Sequence, residues 1–130
     1  MGVIYETMDV VAPRCCVADL VKSAEEIAEQ FLLDPLCVGH AGDGNVHVLY
    51  FKKDDMDKEE WDRVLPTASK LLYEKTLAMG GKITAEHGIG LTRKKYLGMD
   101  YTERQIDLLR GIKKTFDPKG ILNPGKIFDA

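Results

Sequence analysis

The chain has no excess of positive charge. Its 18 Lys and Arg face 21 Asp and Glu, for a formal net charge of −3. That balance argues against nucleic-acid backbone binding as the main activity. No apolar run approaches the roughly 20 residues that cross a bilayer. The opening residues MGVIYETMD have neither the basic start nor the apolar core of a secretory signal. Cysteine is scarce and unpatterned: Cys15 and Cys16 are adjacent, Cys37 stands apart in LCV, and no C-x-x-C pair occurs. Such a set builds no disulfide framework and fits reduced thiols in a cytoplasmic protein. G-x-G-x-x-G, a Walker A lysine, H-E-x-x-H, an EF-hand loop and G-x-S-x-G are also missing, which removes the common nucleotide, zinc-protease, calcium and serine-nucleophile readings.

What remains is 130 residues, 45% hydrophobic and 30% charged, enough for one compact domain with its own core. Residues 8–12, MDVVA, form a short apolar run stopped by Pro13 and predict a strand. Val17, Leu20, Val21, Ala24, Ile27, Ala28 and Phe31 then recur at three-and-four spacing, the signature of a one-sided helix that Asp34-Pro35 ends. Residues 38–51 alternate instead, predicting two strands around a turn. A second helical pattern runs through Trp61, Val64, Leu65, Ala68, Leu71, Leu72 and Met79, where Pro66 should kink the helix or start its regular part. Gly80-Gly81 stops it, and Lys82 to Ala85 reads as a further strand. Thr102 and Gln105 form a candidate capping box for a last helix carrying Ile106, Leu109, Ile112 and Phe116. The order strand, helix, strand, strand, helix, strand predicts an α+β fold. It is a ferredoxin-like split βαβ sheet with helices on one face and a C-terminal helical tail.

The chemistry concentrates in VGHAGDGNVHVLYF, residues 38–51, which holds two of the three histidines. Asp43-Gly44 is a strong signal for a two-residue type I′ turn, which needs positive φ at both central positions. On that register His40 lies directly opposite His47, with Cβ atoms roughly 4.5–5.5 Å apart on one face. Two neutral imidazoles so placed can converge on one divalent ion, whereas a one-residue slip would separate them. Val38, Leu49 and Phe51 share their face, while Val46, Val48 and Tyr50 occupy the other. Both faces are apolar, so each calls for a cover. A surface turn with two incidental histidines is the competing reading. The third histidine shifts the balance.

It sits in GGKITAEHGIG, next to Glu86. Two histidines and a carboxylate, with an open position for substrate, make a catalytic divalent site, and Glu86 is the natural third ligand. His87 would point away in a straight strand, but Gly88 and Gly90 permit a sharp turn back toward the site. An imidazole beside the metal suits acid–base work near neutral pH.

Together GHAGDGNVH, TAEHGIG and FDPKGILNPGKIF closely resemble the C-terminal domain of FAD-linked 2-hydroxyacid oxidoreductases. That vanillyl-alcohol-oxidase-like group contains glycolate oxidase subunits, D-lactate dehydrogenases and D-2-hydroxyglutarate dehydrogenases. The resemblance covers almost all of residues 1–130. It implies that His40, His47 and Glu86 bind a divalent metal that holds a small 2-hydroxy acid, and that His87 takes the hydroxyl proton while hydride leaves for FAD. It implies a weak flavin contact for Asn123, whose simpler reading is turn initiation by Asn-Pro. In the 2-hydroxyglutarate branch an asparagine two residues beyond the second histidine contacts substrate. Leu49 stands there in this chain, which points to the glycolate or D-lactate type.

The family's flavin-binding domain is absent from this sequence, so a flavin domain is expected in cis or in trans. The 130-residue chain alone is expected to be colourless and inactive. The metal is open among zinc, manganese and iron, and self-association of the chain stays open too. Two further readings compete: a non-catalytic metal-binding or assembly module, and metal-assisted hydrolysis at the open coordination position.

Overall fold

The computed structural model describes residues 3–129. Two compact units divide the chain, Met1–His87 and Gly88–Ala130. In the first, β1 (Tyr5–Val11), α1 (Val17–Gln30), β2 (Asp34–His40), β3 (Asn45–Phe51) and α2 (Lys58–Ala78) follow in order. The sheet order is β1-β3-β2, antiparallel throughout. The α1 crossover carries the chain from β1 to β2, and β3 inserts between them, which is the split βαβ arrangement.

Alternation along the strands explains the layers. Met8 and Val10 of β1 and Val46, Val48 and Tyr50 of β3 are buried on one face, as period-two side chains must be. Leu20, Ala24, Ile27 and Ala28 of α1 and Trp61, Val64, Ala68 and Leu72 of α2 are the buried helical residues. Both helices lie on that same sheet face. The Tyr50 hydroxyl donates to the Ala24 carbonyl at 3.0 Å, and the Ser69 hydroxyl to Met8 Sδ at 3.7 Å. Burial pushes the Tyr50 phenol well above its ordinary range.

Helix α2 starts at Lys58, where the Asp57 side chain accepts from the Glu60 N–H at 2.7 Å. It continues through Pro66 to Ala78, so the proline neither starts nor ends it. The strand expected at Lys82 to Ala85 is reduced to one bridge. Val11 and Lys82 exchange backbone bonds of 3.2 and 2.8 Å. This bridge sits on the free edge of β1, where the fourth strand of a ferredoxin-like sheet would lie. Regular pairing goes no further: Ala85 N still reaches the Asp9 carbonyl at 3.2 Å, but it and the next two N–H groups turn toward a carboxylate, as described below.

In the second unit, α3 (Leu97–Asp100) precedes α4 (Glu103–Phe116). The predicted capping box is present: Thr102 Oγ1 accepts from Gln105 N at 3.4 Å, and Gln105 Oε1 accepts from Thr102 N at 2.8 Å. Of the four apolar residues expected to face a core from α4, only Ile106 is buried, while Ile112 and Phe116 are exposed.

Asp117 closes the turn after α4. It accepts from Ile121 N at 3.1 Å and Leu122 N at 2.9 Å and pairs with Lys113. The Lys113 ammonium, with these two N–H groups, outweighs burial and holds the Asp117 carboxyl below its usual range. A carboxyl depressed on folding stabilises above its unfolded pKa, and that contribution is lost as pH falls through the folded value. Acid titration below about pH 4 is therefore expected to release this turn. Faster amide exchange at Ile121 and Leu122 than at the α2 amides would report it; equal protection at pH 3 and pH 6 would contradict it. No helix among the described residues is long and apolar enough to cross a membrane.

Candidate active site

The sheet face away from the helices carries the site. Its register differs from the expectation: His40 pairs with Asn45, and His47 with Val38. The turn spans four residues instead of two, because the His40 carbonyl accepts from both Asp43 N (3.1 Å) and Gly44 N (3.2 Å). Asp43 Oδ1 in turn accepts from Asn45 N at 3.1 Å. Only Gly44 of the central pair has positive φ, at +84°, so the turn is not type I′. A shift of two residues preserves facing. His40 and His47 are diagonal neighbours on one face, with ring centroids 5.7 Å apart in an edge arrangement.

β1 supplies a residue that the sequence reading passed over. Asp9 lies directly opposite His47 in the ladder and is fully buried. Its Oδ2 accepts four hydrogen bonds, from Thr84 Oγ1 (3.2 Å), Ala85 N (3.0 Å), Glu86 N (2.8 Å) and His87 N (2.8 Å). Three consecutive N–H groups aimed at one oxygen cannot belong to a straight strand, whose amides alternate in direction. The chain wraps the carboxylate as an anion-binding nest and presents Glu86 and His87 to the same side. Burial raises the Asp9 pKa, but the backbone N–H groups of His87, Glu86 and Ala85, with the charge of His87, outweigh it and leave the carboxyl below its ordinary range.

The predicted quartet converges. Glu86 Oε1 lies 3.3 Å from His47 Nε2, 3.8 Å from His87 Nε2 and 3.9 Å from His40 Nε2. The His47 and His87 rings stack at 4.9 Å, 11° from parallel. His47 is largely shielded, with a side chain 14% exposed, against 62% for His40 and 45% for His87. One protected ring thus stands beneath two accessible ones, open to an incoming molecule.

Donor chemistry fits a cation. Ligands about 2.0–2.2 Å from a tetrahedral ion lie roughly 3.3–3.6 Å from one another, close to the spacings around Glu86 Oε1. His47 is decisive, because its Nδ1 faces Asp9 Oδ1 at 3.3 Å while its Nε2 faces Glu86. A neutral imidazole carries one N–H, so with a carboxylate at each nitrogen one nitrogen presents its lone pair, where a cation can sit. Among the described residues the donor set lying within 4.8 Å of one another is Asp9, His47, Glu86 and His87, and the predicted ligand His40 stands outside it. Asp9 is the poorest ligand among them, since its Oδ2 already accepts four bonds and its buried Oδ1 faces His47 Nδ1.

Asn123, the fifth predicted residue, belongs to the second unit. There it lines a cavity of about 350 Å³ with Arg110, Lys113, Asp117 and Phe128, and its φ of +46° marks a left-handed turn residue.

Residues 1–127 match the sequence family described as FAD linked oxidases, C-terminal domain. The chain is 39% identical over 120 residues to glycolate oxidase subunit GlcD of Bacillus subtilis, covering 92% of this chain and 25% of that protein. It is 44% identical over 92 residues to D-2-hydroxyglutarate dehydrogenase of Stutzerimonas stutzeri, covering 71% of this chain and 20% of that protein. It is 36% identical over 124 residues to D-lactate dehydrogenase of Archaeoglobus fulgidus, covering 95% and 27% respectively. In fold it is similar to 4-ethylphenol oxidase from Gulosibacter chungangensis, with a TM-score of 0.59, 21% identity, and coverage of 98% of this chain and 25% of that one. The chain thus spans about a quarter of the length of these relatives. By its sequence it belongs to the family of FAD linked oxidases, C-terminal domain.

Proposed function

We propose that this chain is the substrate- and metal-binding part of a flavin-dependent oxidoreductase that converts a 2-hydroxy acid of the glycolate or D-lactate type to the 2-oxo acid. The observation that carries this reading is the convergence of the His40, His47 and His87 Nε2 atoms on Glu86 Oε1. His40, His47 and Glu86 would hold a divalent ion (zinc, manganese or iron). Such an ion supplies Lewis acidity that eases loss of a hydroxyl proton. His87, exposed and stacked on His47, receives that proton at Nε2 as the substrate is oxidised. FAD, held mainly by a flavin-binding domain in cis or in trans, would supply the hydride acceptor.

Leu49 stands two pairs beyond His47 on β3, between Thr7 and Leu36 in register. It offers no charge for a second carboxylate, which favours the smaller acids. Two uncovered apolar surfaces support a partner domain. Leu36 and Val38, at 47% and 49% exposed, lie on the site face, and Ile112 and Phe116 project from α4. Asn123 is assigned to flavin contact through the cavity it lines. A cytoplasmic location agrees with three free cysteines.

Titration of zinc or manganese into the 130-residue chain should show uptake of one ion per chain, lost in His47→Ala. Mixed anaerobically with a flavin-loaded partner domain, the metal-loaded chain should bleach the oxidised flavin on addition of glycolate or D-lactate. Metal uptake without bleaching by any 2-hydroxy acid would leave a non-catalytic metal module.

A further inference from the structure

We propose that Asp9 is the positioning residue of this site, a single carboxylate that organises both halves of the donor set. It orders the 84–87 turn through Oδ2 and holds the proton of His47 on Nδ1 through Oδ1, leaving Nε2 bare toward Glu86. This inference rests on the metal-site reading above and adds a residue to it.

Three observations support it. Asp9 and His47 are direct cross-strand partners, so the ladder itself places the two side chains side by side. Asp9 Oδ1 and His47 Nδ1 are both buried, and neither makes a hydrogen bond among the described residues. They face each other at 3.3 Å, so a proton on Nδ1 is the arrangement that satisfies both. The other oxygen takes three successive N–H groups and a hydroxyl from the turn that carries Glu86 and His87. A carboxylate behind a ligating imidazole fixes its tautomer and raises its basicity. Here it also sets the backbone of the neighbouring ligand.

Asp9→Asn separates these roles. The carboxamide oxygen can still accept from the turn, which directs its NH₂ group at His47 Nδ1. A donor there demands a bare Nδ1 and moves the ring proton to Nε2, where it blocks an ion. In the full 130-residue chain, Asp9→Asn should keep the wild-type circular dichroism and weaken zinc binding by roughly 10–100-fold. Nitrogen-15 NMR of the histidine rings should find a proton on Nδ1 of His47 in the wild type, and on Nε2 alone in the variant. A loss of zinc affinity below tenfold, or a bare Nδ1 in the wild type, would overturn the assignment. The wild-type ring measurement decides even if Asp9→Asn fails to fold. A wild-type chain that takes up no zinc sinks the metal-site reading instead, and the NMR result still judges Asp9.

Discussion

If the proposed activity holds, His87→Ala in the flavin-complete protein is expected to lower the rate of 2-hydroxy acid oxidation by roughly 10²–10⁴-fold while flavin stays bound, the span expected for loss of a positioned base. Exposure separates this residue from the shielded His47, and backbone support from Asp9 separates it from His40. The His87 backbone is fixed by Asp9, but its ring is nearly half exposed and stacks on the shielded His47 ring. Removing the imidazole therefore deletes a proton acceptor without emptying the core or disturbing the Glu86 backbone. Single-turnover flavin bleaching is the measurement, with ion content and substrate affinity checked alongside. A variant that bleaches its flavin at the wild-type rate, with metal and substrate bound normally, removes His87 from the chemistry.

The second large effect lies in the hairpin. Gly44→Ala is expected to destabilise the chain by roughly 2–4 kcal/mol in urea unfolding, a serious fraction of the 5–15 kcal/mol typical of a domain. Two independent costs combine. Gly44 has φ of +84°, where a side chain is strained, and a Cβ there would lie 2.0 Å from the Ala12 carbonyl oxygen. That oxygen belongs to backbone, and the Ala12 N–H already donates to the Gly44 carbonyl at 3.1 Å, so neither side can withdraw freely. Gly42→Ala is the control, because a Cβ there meets nothing within 4 Å. Equal stability of the two variants would show that the turn does not depend on close approach at Gly44.

Much of this arrangement was legible in the sequence. The helical repeats in residues 17–31 and 61–79 were strong because each has one buried stripe, and the Thr102 box was readable as local chemistry. His40, His47, Glu86 and His87 stand out in the sequence because histidine is rare in this chain and glycines lie near each of them. The hairpin register was missed because the Asp-Gly rule assumes a two-residue loop. Here the Asp43 side chain takes the Asn45 N–H and lengthens the turn. The strand at Lys82 failed because local pattern gives no notice of a buried acceptor far away in sequence. Asp9 left one trace, a charge inside the apolar run MDVVA. Its importance depends on the pairing of β1 with β3, which no local pattern specifies.

The Asp9 bonds to the 84–87 turn connect residues 75 to 78 positions apart. Contacts of such separation add to the cost of closing the chain and slow folding. Closure of the turn over the carboxylate is therefore expected to follow the pairing of β1 with β3, and a nascent chain released before residue 84 would lack every donor to Asp9 Oδ2.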